Sequence, residues 1–211
     1  MAKTNIAVID YGAGNILNVL KALSYIGLDA TFTQNPDNIA NADAIILPGV
    51  GAFAPAMAAL NQRQLIAPIQ SAVQRQIPLL GVCLGMQLLF DSSTEHGDTK
   101  GLGLIPGDVV PIPTDLGVKV PHMGWNKNHV TQSHPLANPI DDEYTYFVHS
   151  YYAKTQAKYI LSETNYGIAI PSLVGYQNVF GAQFHPEKSS TIGLEVLRQF
   201  GQYVNANKES I

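Results

Sequence analysis

The chain has 211 residues, a length that suits one domain, and we expect residues 1–211 to form that domain. The net charge is −4 and there is no basic run, which argues against nucleic acid as a partner. No apolar run reaches the roughly 18 residues that a membrane span needs, the N-terminal sequence lacks the apolar core of a secretory signal, and a single cysteine cannot form an internal disulfide, so we expect a cytoplasmic protein that does not enter the membrane.

The first half of the sequence alternates short apolar runs with segments of helical spacing. Apolar residues recur at helical spacing between Ile16 and Ile26 and again between Met57 and Ile69. Another helix is predicted to start at Leu84, in the sequence LGMQLLF (84–90). Strands that alternate with helices indicate a parallel sheet covered on both faces. The four predicted strands are NIAVID (5–10), ATFTQ (30–34), AIILPG (44–49) and PLLGVC (78–83).

The second half, from about residue 107 to residue 184, consists of short strand-like runs that Pro, Gly and Asn interrupt. Such runs predict hairpins or added strands. Helical spacing returns between Thr191 and Val204 and predicts a helix there. The expected fold class is therefore α/β, with a mostly parallel central sheet, helices on both faces and antiparallel β-hairpin insertions in the second half. The strand-like runs are DVVPIP, YTYFVHSYYA, YILSE and LVGYQNVFGAQF.

Cys83, the only cysteine of the chain, lies between two glycines in the sequence GVCLG. A strand followed by G-x-C-x-G and a helix is typical of a nucleophile elbow, in which Gly81 and Gly85 allow a sharp turn. The turn would place the sulfur above the carboxyl ends of the strands and at a helix N-terminus, which favours the thiolate. The N–H of Leu84 would be free to bind an oxyanion. The alternative is a buried cysteine in an ordinary strand.

A thiolate nucleophile needs a base, and His185 is the candidate with the most distinctive surroundings. It ends an apolar run and opens the sequence HPE, in which Pro186 favours an extended backbone at His185. Residues two apart in an extended segment face the same side, so Glu187 can approach and orient the imidazole. The alternative is a surface turn with a solvated carboxylate. No metal site or cofactor is expected, since these loop histidines lack ligand spacing: His122, His129 and His134.

The order G-x-C-x-G and, far downstream, H-P-E resembles the class I (triad) glutamine amidotransferases. The resemblance implies that Cys83 attacks glutamine and that His185 and Glu187 complete a catalytic triad. Other segments look like the glutaminase subunits of imidazole glycerol phosphate synthases, which act in histidine biosynthesis. The glutaminases of anthranilate and aminodeoxychorismate synthases usually have His where Met86 stands and lack DYGAGN and HMGWN. The similar segments are DYGAGN (10–15), LPGVGAF (47–53), KVPHMGWN (119–126) and YFVHSY (146–151).

The resemblance also implies roles for residues near the nucleophile. The N–H groups of Val50 and Leu84 would bind the oxyanion. Glu95 would meet the α-ammonium of glutamine, and an exposed loop carboxylate is the alternative for this residue. Ser150 and Tyr151 would hold the α-carboxylate. The complete set of implied substrate contacts is Gly49, Gly51, Gln87, Glu95, Ser150 and Tyr151.

The implied activity is hydrolysis of L-glutamine to glutamate and ammonia, and the implied partner is a cyclase subunit with a (β/α)₈ barrel in a heterodimer. Charged residues make up 13% of the chain, about half the usual fraction. A surface covered by a partner would explain the shortage, and so would a surface rich in uncharged polar residues. A glutaminase for another synthase and a non-catalytic scaffold subunit remain alternatives. The residues that match partner-facing positions are Asn15, Trp125, Tyr146 and Lys188.

Overall fold

The computed structural model describes residues 4–12 and 14–208 of the chain. The helices in these ranges are α1 (Ile16–Tyr25), α2 (Pro36–Ala40), α3 (Phe53–Gln62), α4 (Ile66–Gln74), α5 (Leu84–Gln87) and α6 (Ser190–Lys208). The strands are β1 (Ile6–Ile9), β2 (Ala30–Thr33), β3 (Ala44–Leu47), β4 (Leu79–Val82), β5 (Ser92–Ser93), β6 (Thr99–Lys100), β7 (Asp108–Pro111), β8 (His122–Val130), β9 (Tyr144–His149), β10 (Tyr151–Lys154), β11 (Ile160–Asn165), β12 (Ala169–Tyr176) and β13 (Val179–Ala182). None of these helices combines the length and the apolar character that a membrane crossing requires.

The central sheet has the strand order β2-β1-β3-β4-β13-β12-β11-β8-β9. The strands from β2 to β13 in this order are parallel, and the pairings from β13 to β9 are antiparallel. β13 comes late in the sequence yet pairs with β4, so that Ala182 lies opposite Val82. Neighbouring parallel strands end at the same edge of a sheet. The residues after β4 and after β13 are therefore brought together.

Helices cover both faces of the parallel strands, as the sequence predicts. Along β3, Ala44 and Ile46 point into one core, while Ile45 and Leu47 point into the other. Residues of α1 and α6 pack into the first core, and residues of α3 and α4 pack into the second. Because both faces are covered, β1, β3 and β4 are continuous apolar runs in the sequence, whereas the edge strand β2 is partly exposed and contains two threonines.

A smaller sheet in the second half has the strand order β10-β7-β5-β6. The run YTYFVHSYYA supplies a strand to each sheet: β9 pairs with β8 in the central sheet, and β10 pairs with β7 in the smaller one. Ser150 separates the two strands and lines a cavity that also contains Cys83. The crossing between the sheets is therefore next to the predicted nucleophile.

Several elements differ from the sequence predictions. The helical region expected between Met57 and Ile69 is two helices, because Gln64 takes a left-handed backbone with φ 56° between α3 and α4. The helix predicted in residues 84–90 starts at Leu84 but ends at Gln87, so α5 is a single turn. No apolar pattern in the sequence predicts α2, β5, β6 or β8. These elements are short or, in the case of β8, mostly polar.

Candidate active site

The turn at Cys83 has the shape of a nucleophile elbow. The residue with the strained backbone in this turn is Cys83, not one of the two glycines. Cys83 has φ 53° and ψ −111°, a conformation that residues with a side chain rarely adopt. The two glycines provide space. A Cβ on Gly81 would lie 2.6 Å from the carbonyl oxygen of Gly85, and a Cβ on Gly85 would lie 1.8 Å from the carbonyl oxygen of Leu47. The elbow can therefore pack closely against the end of β3.

His185 and Glu187 are joined by a short hydrogen bond. Nδ1 of His185 lies 2.7 Å from Oε1 of Glu187, and the two side chains are 0% and 1% exposed, so Glu187 is not a solvated carboxylate. The backbone of His185 is extended, as predicted, but Pro186–Lys188 is a 3-10 turn. This turn, and not an extended segment, brings Glu187 to the ring. Asn15 Nδ2 donates to the same Glu187 oxygen at 2.5 Å.

The surroundings of His185 act on its pKa in opposite directions. Burial lowers the pKa, but hydrogen bonds with Cys83 and Glu187 and the charges of both groups raise it to about 9. His185 therefore holds its proton at neutral pH. Its Nε2 is buried and lies within normal hydrogen-bond distance of no atom of the described residues, so the interaction with Cys83 that raises the pKa is a long one. The arrangement suits a thiolate beside an imidazolium.

A cavity of about 250 Å³ opens beside Cys83 and His185. Gly49 is not in its wall; a Cβ there would lie 2.4 Å from Tyr11 Oη, so this glycine is needed for close packing behind the cavity. In the described ranges, no three His, Cys, Asp or Glu side chains gather as metal ligands would. The predicted oxyanion and substrate residues that do line the cavity are Val50, Gly51, Leu84, Gln87, Glu95, Ser150 and Tyr151.

Val50 and Leu84, the two predicted oxyanion donors, both line the cavity. Leu84 starts α5 directly after Cys83, and an N–H in the first turn of a helix has no acceptor within the helix. Val50 lies in the loop after β3, where Gly51 takes φ 107° and turns the chain toward α3. Because α5 is one turn long, its dipole acts on Cys83 less than that of the longer helix expected from the sequence.

Gln87 and Glu95 are fixed in the cavity wall by hydrogen bonds. Gln87 Nε2 donates to the Tyr151 carbonyl oxygen at 2.9 Å and to Gln183 Oε1 at 3.0 Å. Both amide hydrogens are then used, so Oε1 is the atom of Gln87 that remains for a ligand. Glu95 Oε2 accepts a hydrogen bond from the N–H of Phe53, at the start of α3, at 2.7 Å. Glu95 is half-buried and is therefore not the exposed loop carboxylate considered as the alternative.

Residues 7–202 match the family described as Glutamine amidotransferase class-I. The chain belongs to this family. The match spans the elbow, the histidine–glutamate pair and the cavity between them.

Relatives of this amidotransferase include proteins named imidazole glycerol phosphate synthase subunit HisH. The one from Lactiplantibacillus plantarum is 51% identical over 95% of this chain and 97% of its own length. The one from Lacticaseibacillus casei is 55% identical over 92% of this chain and 94% of its own length. A crystal structure described as a glutamine amidotransferase matches with a TM-score of 0.75 at 17% identity, and covers 94% of this chain and 98% of that chain. The likeness to this structure supports the fold.

The four residues predicted to face a partner lie near the His185–Glu187 pair. The rings of Trp125 and Tyr146 are 6.1 Å apart between centroids, and Lys188 Nζ lies 6.0 Å from the centre of the Tyr146 ring. Trp125 is 50% exposed. The Tyr146 ring lies 6.5 Å from the His185 ring, and Asn15 contacts the triad through Glu187. These residues therefore connect the triad to the surface of the chain.

Two contacts of the site are missed by the sequence analysis. Tyr11 is buried, and its hydroxyl donates to the Pro48 carbonyl oxygen at 2.9 Å, just before the loop that contains Val50. Burial raises the pKa of Tyr11, and the charge of Cys83 raises it further, so the hydroxyl remains a donor. Gln183 Nε2 lies 4.0 Å from Cys83 Sγ. The available signals are the place of Tyr11 in DYGAGN and a polar residue, Gln183, just after an apolar strand.

Proposed function

We propose that the chain is a single-domain glutaminase that hydrolyses L-glutamine to glutamate and ammonia. It delivers the ammonia to a cyclase subunit that makes imidazole glycerol phosphate in histidine biosynthesis. The observation that carries the proposal is the buried Glu187–His185 pair beside Cys83 at the edge of a cavity. Relatives that are 51% and 55% identical and are named as subunits of imidazole glycerol phosphate synthase support the choice of pathway.

The reaction starts at the sulfur. Cys83, as a thiolate beside protonated His185, attacks the side-chain carboxamide carbon of glutamine and forms a tetrahedral intermediate. His185 then gives its proton to the departing nitrogen, ammonia leaves, and a thioester remains on Cys83. His185, now neutral, takes a proton from water, which attacks the thioester and releases glutamate. Glu187 keeps the proton on Nδ1 and stabilises the imidazolium in each step.

The tetrahedral intermediate carries a negative charge on oxygen, which needs aligned donors. The N–H of Leu84 follows the nucleophile directly and has no acceptor within the helix. The N–H of Val50 is the second proposed donor, and Tyr11 supports its loop through the Pro48 carbonyl. Removing one such donor typically raises the barrier by about 2.7–4 kcal/mol.

The α-ammonium and the α-carboxylate of glutamine are assigned to different walls of the cavity. The Glu95 carboxylate binds the α-ammonium, since it lies in the cavity and keeps one oxygen beyond the Phe53 N–H. The α-carboxylate is bound at Ser150 and Tyr151. The Tyr151 carbonyl already accepts from Gln87 at 2.9 Å and from His149 Nδ1 at 2.8 Å, so N–H groups supply the proposed contact. Gly49 and Gly51 shape the loop on the other side.

The proposed partner is a cyclase subunit with a (β/α)₈ barrel, in a heterodimer that works in the cytoplasm. It covers the surface around Trp125 and Tyr146, where the exposed Trp125 ring packs against the half-buried Tyr146 ring next to His185. Asn15 and Lys188 lie in the same group and complete the proposed interface. Ammonia released at Cys83 would pass directly into the partner, which keeps it from becoming ammonium in bulk water.

The proposal is tested on the chain purified together with its candidate cyclase. The complex should release glutamate from glutamine, and a diazoketone analogue of glutamine should label Cys83, as peptide mass spectrometry would detect. Expression of the chain should restore growth of a histidine auxotroph that lacks the glutaminase subunit. A folded complex that neither turns over glutamine nor takes the label would overturn the enzymatic function. Labelling and turnover without complementation would point to a glutaminase for a different synthase.

A further inference from the structure

A buried hydrogen-bonded chain links the wall of the cavity to the sulfur. The Tyr151 carbonyl accepts from Gln87 Nε2 at 2.9 Å, Gln87 Nε2 also donates to Gln183 Oε1 at 3.0 Å, and Gln183 Nε2 approaches Cys83 Sγ at 4.0 Å. Gln183 is 0% exposed and follows β13, next to the strand that ends at the elbow. The sulfur and the substrate-facing Gln87 are thus connected through one side chain.

The direction of this chain follows from its first acceptor. A backbone carbonyl can only accept, so the nitrogen of Gln87 must face Tyr151. The second hydrogen of that nitrogen then requires the oxygen of Gln183, and the nitrogen of Gln183 is left to face Cys83. The orientation of both amides is therefore fixed by the hydrogen-bond network and not by the shape of the side chains alone.

The sulfur lies between a donor and an acceptor. The Val148 carbonyl oxygen is 3.8 Å from Cys83 Sγ and suits the S–H of a thiol. Gln183 offers an N–H, which suits a thiolate. Among the described residues, Sγ is the only partner of Gln183 Nε2. A buried amide N–H whose only partner is one sulfur makes its strongest hydrogen bond when that sulfur is ionised. The long distance is compatible with this role, because catalytic hydrogen bonds that are long in a free enzyme shorten when the reaction begins.

We propose that Gln183 is a positioning residue for the glutaminase reaction: its N–H holds the Cys83 thiolate in place for attack, and its oxygen holds Gln87 against the substrate. This role rests on the proposed function, since it concerns the same nucleophile and the same substrate. Gln183 touches no substrate atom and acts through its two neighbours. The two ends of its amide have separate effects, because one end faces the sulfur and the other faces a binding residue.

Two substitutions separate these effects. Gln183→Glu keeps an oxygen that Gln87 can donate to, but it removes the N–H that faces the sulfur. Gln183→Met has a similar length and removes both interactions. The matched control is Gln70→Met, because Gln70 is a partly buried glutamine whose Nε2 donates to the Leu102 carbonyl at 2.9 Å, outside the cavity.

Each variant is measured in complex with the cyclase. Gln183→Glu should lower kcat for glutamine by about ten- to a hundredfold, the size expected for losing a hydrogen bond to a charged group, with KM unchanged. Gln183→Met should lower kcat similarly and also raise KM by about two- to tenfold, because Gln87 loses its support. Alkylation of Cys83 by iodoacetamide, which needs no glutamine, should slow in both. Gln70→Met should match the wild type.

A Gln183→Glu variant with wild-type kcat and alkylation rate would overturn the proposal. The proposal would also be overturned if both variants changed KM and kcat by equal factors and the complex also lost synthesis from added ammonia. That result would indicate a general structural role. Where a variant does not fold, the wild-type protein is used instead: the isotope-labelled side-chain amide of Gln183 should change its chemical shift when Cys83 is alkylated, and that of Gln70 should not. An unchanged Gln183 signal would overturn the role.

Failure of the proposed function has a different signature. A wild-type complex without glutamine turnover would reject that function. Iodoacetamide alkylation would still compare Gln183→Glu with the wild type, since it reports on the sulfur alone.

Discussion

Two histidines line the same cavity but come from opposite halves of the sheet. His185 follows the parallel strand β13 and contacts Glu187, whereas His149 ends the antiparallel strand β9 and contacts His122. Burial lowers the pKa of both. Hydrogen bonds with Cys83 and Glu187 overcome burial at His185 and raise its pKa to about 9. At His149 burial prevails, the Tyr151 carbonyl raises the pKa only partly, and the pKa is lowered to about 3.

The difference between these two pKa values shows that the neighbouring groups determine whether a buried imidazole is protonated. The carboxylate of Glu187 lets His185 hold a proton beside Cys83, so this ring can act as acid and base. His149 stays neutral and serves as a hydrogen-bonding part of the wall. Since its Nδ1 donates to a carbonyl, its Nε2 must accept from Nδ1 of His122. We therefore expect one half of the cavity, with His185, to supply the chemistry and the other half, with His149, to supply fixed geometry.

The largest expected effect comes from removing the sulfur on the chemical side. Cys83→Ala should abolish glutamine-dependent synthesis by the complex, because no other side chain can form the thioester. Synthesis from added ammonium salts should remain, since the cyclase site is separate. Product formation with each nitrogen source checks this. If a folded complex lost synthesis from both sources, or kept glutamine-dependent synthesis, the division between the halves would be wrong.

The second-largest expected effect comes from removing the negative charge of Glu187. Glu187→Gln removes the charge that helps to raise the pKa of His185 while keeping an oxygen for Asn15 and the ring. We expect kcat for glutamine to fall by about a hundredfold or more, as for other residues that orient a catalytic histidine. Steady-state kinetics would measure the loss, with Glu195→Gln on α6 as a surface control. A loss below about tenfold would contradict the role of the charge.

The sequence predicts the parallel half of this fold better than the antiparallel half. Strands β1 to β4 lie within the predicted runs, and β1, β3 and β4 do so because strands buried on both faces are apolar throughout, whereas the edge strand β2 is partly exposed. β8 has the sequence HMGWNKNHV and alternates in exposure, and its pairing depends on β9 and β11, which come later in the chain. Local patterns carry little information about such long-range pairing.

The same contrast holds within the site. Cys83, His185 and Glu187 are predicted because each lies in a short motif with a fixed spacing. Gln183 is missed because its role depends on contacts with Gln87 and Cys83, which are about 100 residues away in the sequence. The opposite pKa shifts of His185 and His149 are also beyond sequence reasoning, since both depend on burial and on neighbours from other elements.

The third prediction concerns the geometric side. The pKa of His149 is about 3 in the folded chain and 6.5 in the unfolded chain. Between these two pH values the unfolded state therefore binds a proton that the folded state does not bind. Its contribution to stability is therefore present above pH 6.5 and is lost as pH falls toward 3. His149→Gln, whose amide can still donate to Tyr151, should lose less stability over this range than the wild type. Urea unfolding at several pH values would show it, and parallel curves for the two proteins would contradict the assignment.

The last and smallest expected effect is the pH dependence of stability that His185 causes, which has the opposite sign to that of His149. The pKa of His185 is raised from 6.5 to about 9, so the folded chain keeps a proton that the unfolded chain releases. This stabilisation is complete below pH 6.5 and is lost as pH rises through about 9. The wild type should therefore lose stability relative to His185→Asn over that range. Glu187→Gln should move the loss to lower pH, because the carboxylate no longer holds the proton on the ring. Should the wild type and His185→Asn keep a constant difference in unfolding free energy from pH 6.5 to 9, His185 would be neutral like His149, and the contrast between the two walls would disappear.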